Sequence, residues 1–490
     1  MGDRESASDG VIAMLSVTLD RSSSEPLVRQ LYLRIRELIL AGRLHAGARL
    51  PSTRKLARDL EVSRTVVLDA FGHLTAEGFL EAAIGAGHFV ASLPLDEPSA
   101  AAAADPITGK DDTGSIWQAQ GEPFDPAWQG VDIFPSQLWG RMLGRGWRRH
   151  YSDGLERHWA GLPALRTAVS DHLHALRGLK FGSDEVMITA GNAEALALIA
   201  RVLRSEGGPA SAWVEDPGLG SARQTLQREG ITIVPVPVDD EGLIVAQAEQ
   251  VAPEAAMALV TPARQFPLGM TLSLPRRLSL LSWSRRSGAL VVDDDYDGEV
   301  RFAGRPIQSL ASLDPQARVL TLGSFSKVTF SGLRLGYAAG PRDLIDRLVE
   351  ARRASYVMVP TPTQAALAEF MITGGFAQHL RKLRTQLTRR RRRLYQFLAI
   401  EAANLIEILP QQAGMHLTVR LIDRVTARAT DVAIAERARR AGLVLLPLSQ
   451  QYADERGEQG FLLGYAGWSE HRLDEAAARF VGLLREIAAS

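Results

Sequence analysis

The sequence predicts a chain in two folded parts, a small α+β head and a large α/β domain with a mainly parallel sheet. Three observations carry that prediction. Residues 25–92 set out short helices that end in two short strands. From residue 119 to 490, near-continuous runs of Val, Ile, Leu and Ala alternate with helical stretches, as in strands buried on both faces of a sheet. Between them, residues 93–118 are rich in Ala, Pro, Asp and Gly, lack apolar periodicity and read as a linker.

The totals agree with a soluble globular protein of more than one domain. The chain has 490 residues, 46% apolar and 23% charged. Lys plus Arg equals Asp plus Glu at 56 each, so attraction to a polyanion has to be local. There is no cysteine, which excludes disulfides, thiolate metal sites and a cysteine nucleophile, and suits a reducing cytoplasm. The opening MGDRESASDGVIAML is too polar for a signal peptide, and no apolar run is long enough to span a membrane. The expected location is cytoplasmic. His158, His172 and His174 lack metal-ligand spacing and no metal is expected.

In the head, Leu27, Leu31, Ile35, Leu38 and Ile39 share one helical face. The stretch AGRLHAGARLPS breaks that helix, and a short helix follows over about 52–60. EVS makes a tight turn in which Ser63 caps a third helix from Arg64 to about Glu77, with Val66, Val67, Ala70 and Leu74 facing inward. GFLEAAIGAGHFVAS reads as a hairpin around Gly85 and Gly87. This order is that of a winged helix-turn-helix, whose third helix presents its N-terminal side chains to base edges. The segment resembles the DNA-binding domain of GntR-type bacterial regulators over almost all of 25–92. The resemblance implies contacts to double-stranded DNA from Arg54, Ser63, Arg64 and Thr65, and from the wing at Gly87 and His88. Val66 stands where that family often has another threonine. Taken singly, Arg54 and Arg64 also read as solvated surface charges.

Seven strand candidates mark the large domain: 185–191, 211–218, 231–238, 256–262, 289–296, 319–326 and 334–341. Three of their ends carry chemistry. ITAGNAEAL puts Gly191 and Asn192 between a strand and a helix, where backbone amides point at an anion. VVDDDYDGE places carboxylates and Tyr296 at the C-terminal end of a buried strand. GSFSKVTFSGLRLGY sets two serines, Lys327 and Arg334 around another strand end, and a lysine amid small and apolar residues usually has a chemical task. An amine for a Schiff base, a carboxylate for a ring nitrogen and donors for a phosphate are what pyridoxal 5'-phosphate (PLP) requires.

The order and spacing of these pieces resemble fold-type I aminotransferases. With the head attached, the chain from about residue 25 to its end resembles MocR-type regulators. Further matches are GLPALR (161–166), EDPG (215–218), TPARQFPLG (261–269), DDDYDGEVR (293–301) and AGMHL (413–417). The resemblance implies that Lys327 carries PLP as an internal aldimine, that Asp294 pairs with the ring nitrogen and that Tyr296 bonds the ring hydroxyl. It further implies that Asn192, Ser324, Ser326 and Arg334 hold the phosphate beside Gly191. It implies a head-to-tail homodimer that binds an operator and responds to PLP or to a small amine or amino acid. An active aminotransferase is the alternative.

Three departures stand out. Leu219 replaces the aromatic that stacks on the ring, Arg264 replaces a histidine, and GFLLGYAG (460–467) has leucines where related enzymes carry a carboxylate-clamping arginine. Arg264 or Arg223 would be the candidates to replace that clamp. The basic runs 139–151 and 388–398 read as a subunit-interface helix and a solvated helix respectively, with a DNA-contacting track as the alternative for each.

Overall fold

The computed structural model describes residues 19–91 and 121–489, apart from 22, 24, 84–86, 129–131, 151–157, 206, 208–209, 303–307, 315, 356, 412 and 455–456. The linker 93–118, the opening stretch 1–15, Gly85 of the wing turn and the end of the 139–151 stretch lie outside these residues. The chain divides into two compact units, Met1–Asp112 and Thr113–Ser490.

The first unit has helices Leu27–Leu40, Thr53–Asp59 and Arg64–Ala76, followed by strands β1 (Leu80–Ala83) and β2 (Gly87–Val90) paired antiparallel. Ser52 and Ser63 cap the second and third helices, each hydroxyl accepting an N–H three residues on. Leu31, Ile35, Leu38 and Ile39 from the first helix meet Val67, Ala70, Phe71 and Leu74 from the third in one buried core. Leu27 and Val66 are only half-buried, because each lies at the margin of its apolar stripe.

The second unit is built on an eight-stranded sheet. Its strands are β3 (Val186–Thr189), β4 (Ser211–Asp216), β5 (Thr232–Asp239), β6 (Gly242–Leu243), β7 (Met257–Val260), β8 (Leu290–Asp295), β9 (Val319–Ser324) and β10 (Gly336–Ala339), in the order β3-β10-β9-β8-β7-β4-β5-β6. The pairs among β4, β5, β7, β8 and β9 are parallel; β10 runs antiparallel to both β9 and β3, and β6 antiparallel to β5. Residues of β3, β7, β8 and β9 are almost entirely buried, which matches their apolar stretches, although β8 ends in three buried or half-buried aspartates. All seven strand candidates form.

Because β10 is antiparallel to both β3 and β9, those two run the same way as β8. The C-terminal ends of β3, β8 and β9 and the N-terminal end of β10 therefore share one edge of the sheet.

A second sheet was not apparent in the sequence. Strands β11 (Ile406–Ile408), β12 (His416–Leu421), β13 (Leu446–Pro447) and β14 (Gly460–Gly464) form an antiparallel sheet in the order β11-β12-β14-β13. Its strands have two to six residues, too few to establish a period. The long helix Gly375–Glu401 buries Leu383, Leu387, Leu394 and Leu398 in the same core as this sheet. Among the described residues, no helix is long and apolar enough to cross a membrane.

Candidate cofactor and DNA sites

The shared sheet edge opens into a cavity of about 300 Å³. All eight residues singled out in the large domain line it: Gly191, Asn192, Asp294, Tyr296, Ser324, Ser326, Lys327 and Arg334. Each arrives by its strand. Gly191 (φ +111°) turns the chain out of β3 into the helix Asn192–Ser205, a backbone conformation that side chains with a Cβ rarely adopt. The first turn of that helix leaves N–H groups without intrahelical partners at the cavity, a ready site for an anion. Asp294 sits near the end of β8, Ser324 ends β9, and Arg334 precedes β10 with an exposed side chain.

Asp294 is 2% exposed. Burial, with Asp295 and Asp293 beside it, pushes its carboxyl up to about 7, and the hydrogen bond from Asn192 Nδ2 (2.6 Å) only partly opposes that. The sequence assigns Asn192 to the phosphate; its side-chain amide instead lies on Asp294, and its Oδ1 is buried with no hydrogen-bond partner. Lys327 borders the cavity, yet desolvation lowers its ammonium pKa against the pull of Asp297, Asp294 and Asp125. A depressed amine is a better nucleophile at neutral pH. Burial raises Tyr296, whose hydroxyl oxygen accepts a bond from Arg264 Nη1 (2.7 Å).

These features fit PLP on grounds internal to the site. Asp294 is a buried carboxylate whose charge lacks a full counter-charge, which a protonated ring nitrogen would supply. Lys327 is an amine made easier to deprotonate, and the helix N-terminus with Arg334 gives donors for a phosphate dianion.

Arg264 does not face the cavity as a clamp. It is 3% exposed and bonds Tyr296 and Asp297 (both 2.7 Å), Gln411 Oε1 (3.1 Å) and His416 Nε2 (3.1 Å). Desolvation opposes its charge, but Tyr296, Asp297 and Tyr465 outweigh it and hold the guanidinium protonated. Arg223 is likewise committed, to the carbonyls of Gln451 (2.8 Å) and Tyr452 (2.9 Å) and to Asp216 (3.7 Å). Leu219 lines the cavity, as do Phe266, Met415, His416, Leu446, Pro126 and Ala127, which the sequence did not single out by chemistry. The AGMHL motif held a signal for Met415 and His416; nothing marked Pro126 or Ala127, which come from a segment remote in sequence.

In the head, Arg54, Ser63, Arg64 and Thr65 are exposed around the start of the helix Arg64–Ala76. Ser63 Oγ accepts from Val66 N (3.4 Å), so the cap occupies it, and Arg64 Nε reaches Thr53 Oγ1 (3.4 Å). Gly87 is exposed, with φ +105°, whereas His88 is half-buried edge-on to Phe71, centroids 5.0 Å apart. Arg49 was missed. It is exposed, bridges Phe89 of β2 and carries its guanidinium beside Gly87. Only the folded pairing brings it to the wing.

The run of five arginines divides by helical face. Arg390 is buried and bonds Asp132 and the Ala466 carbonyl; Arg391 bonds the Gln411 carbonyl and lies 5.8 Å from the Phe302 ring. Arg389 and Arg393 pair with Glu470, and Arg393 also with Asp474 (2.6 Å), while Arg392 is exposed. Four of the five thus have intramolecular partners. His172 bonds Glu299 (2.7 Å), and His174 is exposed.

Comparison with known proteins places both units. The family model of class I and II aminotransferases matches residues 157–480, and that of bacterial regulatory proteins of the gntR family matches 27–90. The chain is 35% identical over 467 residues to the probable rhizopine catabolism regulatory protein MocR of Rhizobium meliloti, covering 92% of each. It is 29% identical to the HTH-type pyridoxine biosynthesis transcriptional regulator PdxR of Corynebacterium glutamicum, covering 94% of this chain and 97% of that one. Among solved structures it is similar to Pyrococcus horikoshii kynurenine aminotransferase in complex with PMP, at 25% identity and TM-score 0.65, covering 74% of this chain and 89% of that one. With both units matched and the likeness running through almost its whole length, the chain belongs to the MocR-type family, a gntR-type helix-turn-helix head joined to an aminotransferase-like domain that takes pyridoxal phosphate.

Proposed function

We propose that the protein is a DNA-binding transcriptional regulator whose large domain holds PLP on Lys327 and senses either PLP itself or a small amine or amino acid. The observation that carries this reading is the convergence of Lys327, Asp294, Asn192, Tyr296 and Arg334 on one cavity, in a chain whose other unit is a winged helix-turn-helix. The DNA-binding domain spans 25–92, a linker 93–118 and the effector domain 119–490.

PLP, when bound, supplies an aldehyde carbon able to capture a primary amine. The protein's own groups prepare the site. Asn192 orients the Asp294 carboxylate toward a ring nitrogen. Tyr296 accepts from Arg264, which leaves its own proton to donate to the ring oxygen. The helix at Asn192, with Gly191, Ser324, Ser326 and Arg334, holds the phosphate. Arg54, Ser63, Arg64, Thr65, Gly87 and His88 form the DNA-facing set, to which the position of Arg49 adds a cation at the wing. The active unit is a head-to-tail homodimer reading two half-sites. Regulation requires that the ligand favour one arrangement of the protein over another. The names of the two relatives, one tied to pyridoxine biosynthesis and one to rhizopine catabolism, support a metabolite-linked regulator.

The test pairs a spectrum with a footprint. Purified protein is expected to show the visible band of lysine-bound cofactor, Lys327→Ala to lack it, and wild type to protect DNA upstream of a neighbouring gene in a cofactor- or amine-dependent way. Protein without the band, or without DNA binding, overturns the reading. The joint presence of Lys327, Asp294 and Tyr296 also supports a second reading, an active aminotransferase; rapid transamination with no DNA binding would establish it instead.

A further inference from the structure

We propose that the ligand received beside the cofactor is a primary amine that carries no carboxylate. The proposal rests on the reading of the cavity as a PLP site and names the ligand class of that site.

A carboxylate that leaves water needs a cation, or several donors, at its new position. Among the described residues, the cations lining the cavity are Lys327 and Arg334. The first is the cofactor's anchor and the second lies with the phosphate donors. The two arginines best placed to help are already engaged, and the one unbonded nitrogen, Arg264 Nε, is buried against Gly414. Arg264 gives both terminal nitrogens to Tyr296, Asp297, Gln411 and His416. Gly414 lies against its guanidinium so closely that a Cβ there would come within 2.6 Å of Nε. Arg223 is tied to the carbonyls of Gln451 and Tyr452, with Asp216 beside it.

The remaining wall offers an anion little. His416 lines the cavity, but desolvation, then Arg264 and Lys327, hold it neutral. Its Nε2 faces the Arg264 N–H, and its ring also bonds the Pro267 carbonyl. Leu462, in the segment where an arginine would clamp a carboxylate, is 0% exposed and packs with Phe266, Leu446 and Leu448. Phe266 and Leu446 from that same cluster reach the cavity, joined there by Met415 and Leu219. The acidic groups that border it, Asp294 and Asp297, add no positive partner for a carboxylate. The cavity therefore suits an amine whose other substituents are apolar or uncharged.

The experiment uses the full-length protein saturated with PLP and freed of excess. Its visible band is titrated with isobutylamine against valine, and with 4-aminobutan-1-ol against 4-aminobutanoate. Within each pair, the amine is expected to perturb the band at a concentration at least tenfold lower than its carboxylate counterpart. Equal or stronger action by the carboxylate member overturns the proposal, and so does a band that neither member perturbs. These outcomes leave the cofactor reading standing. Absence of the band before any amine is added is a different result, which overturns the cofactor reading and this proposal with it.

Discussion

Replacing Asp294 by Asn keeps the shape of the side chain and the acceptor for Asn192, and removes only the charge. In the protein freed of cofactor, that charge is a liability. Burial and the neighbouring Asp295 and Asp293 hold the carboxyl at about 7, against an ordinary value of 3.8. Each pKa unit corresponds to about 1.4 kcal/mol, so ionising Asp294 in the folded state costs about 4 kcal/mol once the pH exceeds 7. The sign follows from the direction of the shift. A raised folded pKa favours the native state below the unfolded pKa, and that contribution is lost as pH rises from about 4 through about 7. Asp294→Asn is therefore expected to raise the melting temperature of the cofactor-free large domain at pH 8. With unfolding entropy near 2 cal/mol/K per residue, about 4 kcal/mol becomes a shift of about 5 °C for a domain of this size. At pH 5 the gain shrinks to about 1–2 kcal/mol.

With PLP present the expectation reverses. Losing the charged partner of the ring nitrogen removes a hydrogen bond to an ion, of about 1.5–3 kcal/mol, and weakens PLP binding at least tenfold. Melting curves at the two pH values, with and without PLP, and a spectral PLP titration read both effects. A variant that melts below wild type at pH 8 without cofactor, or that binds PLP as tightly, would refute the reasoning.

The remaining predictions concern arginines. Arg390→Ala is expected to destabilise the large domain by about 1–3 kcal/mol in chemical denaturation, because it leaves the buried Ala466 carbonyl without its donor while the half-exposed Asp132 returns to water, whereas Arg392→Ala stays within about 0.5 kcal/mol. Arg64→Ala is expected to cost about 1–3 kcal/mol of operator affinity and to relax base preference at one position, as read by competitive gel shift. Arg49→Ala should weaken all sequences alike and reduce the salt slope of binding by about 1.

Much of the architecture was legible because burial leaves a pattern. A strand such as β7, enclosed on both faces, is written as an unbroken apolar run, β8 and β9 open on apolar residues before their polar ends, and the head's helices carry their caps and stripes in local sequence. The second sheet was not legible, since strands as short as Leu446–Pro447 have no period of their own and depend on pairing with β14. The site divides the same way. Its eight polar and glycine positions stand at strand ends, where a break in apolar pattern marks them.

Arg264 shows the limit. In sequence it is a charge in place of a histidine and a candidate for holding a ligand's carboxylate. In the fold it is a buried cation whose two terminal nitrogens bond Asp297, Tyr296, Gln411 and His416, residues 32 to 152 positions away. The five arginines from Arg389 to Arg393 make the same point, since Arg390 is buried, Arg391 half-buried and the other three exposed, and four of the five have intramolecular partners. The sequence by itself indicated two units, seven strands of the large sheet and the residue types that PLP needs. Tertiary structure alone decided which charges are already neutralised, because a charge's partner is set by packing between segments and not by its neighbours along the chain.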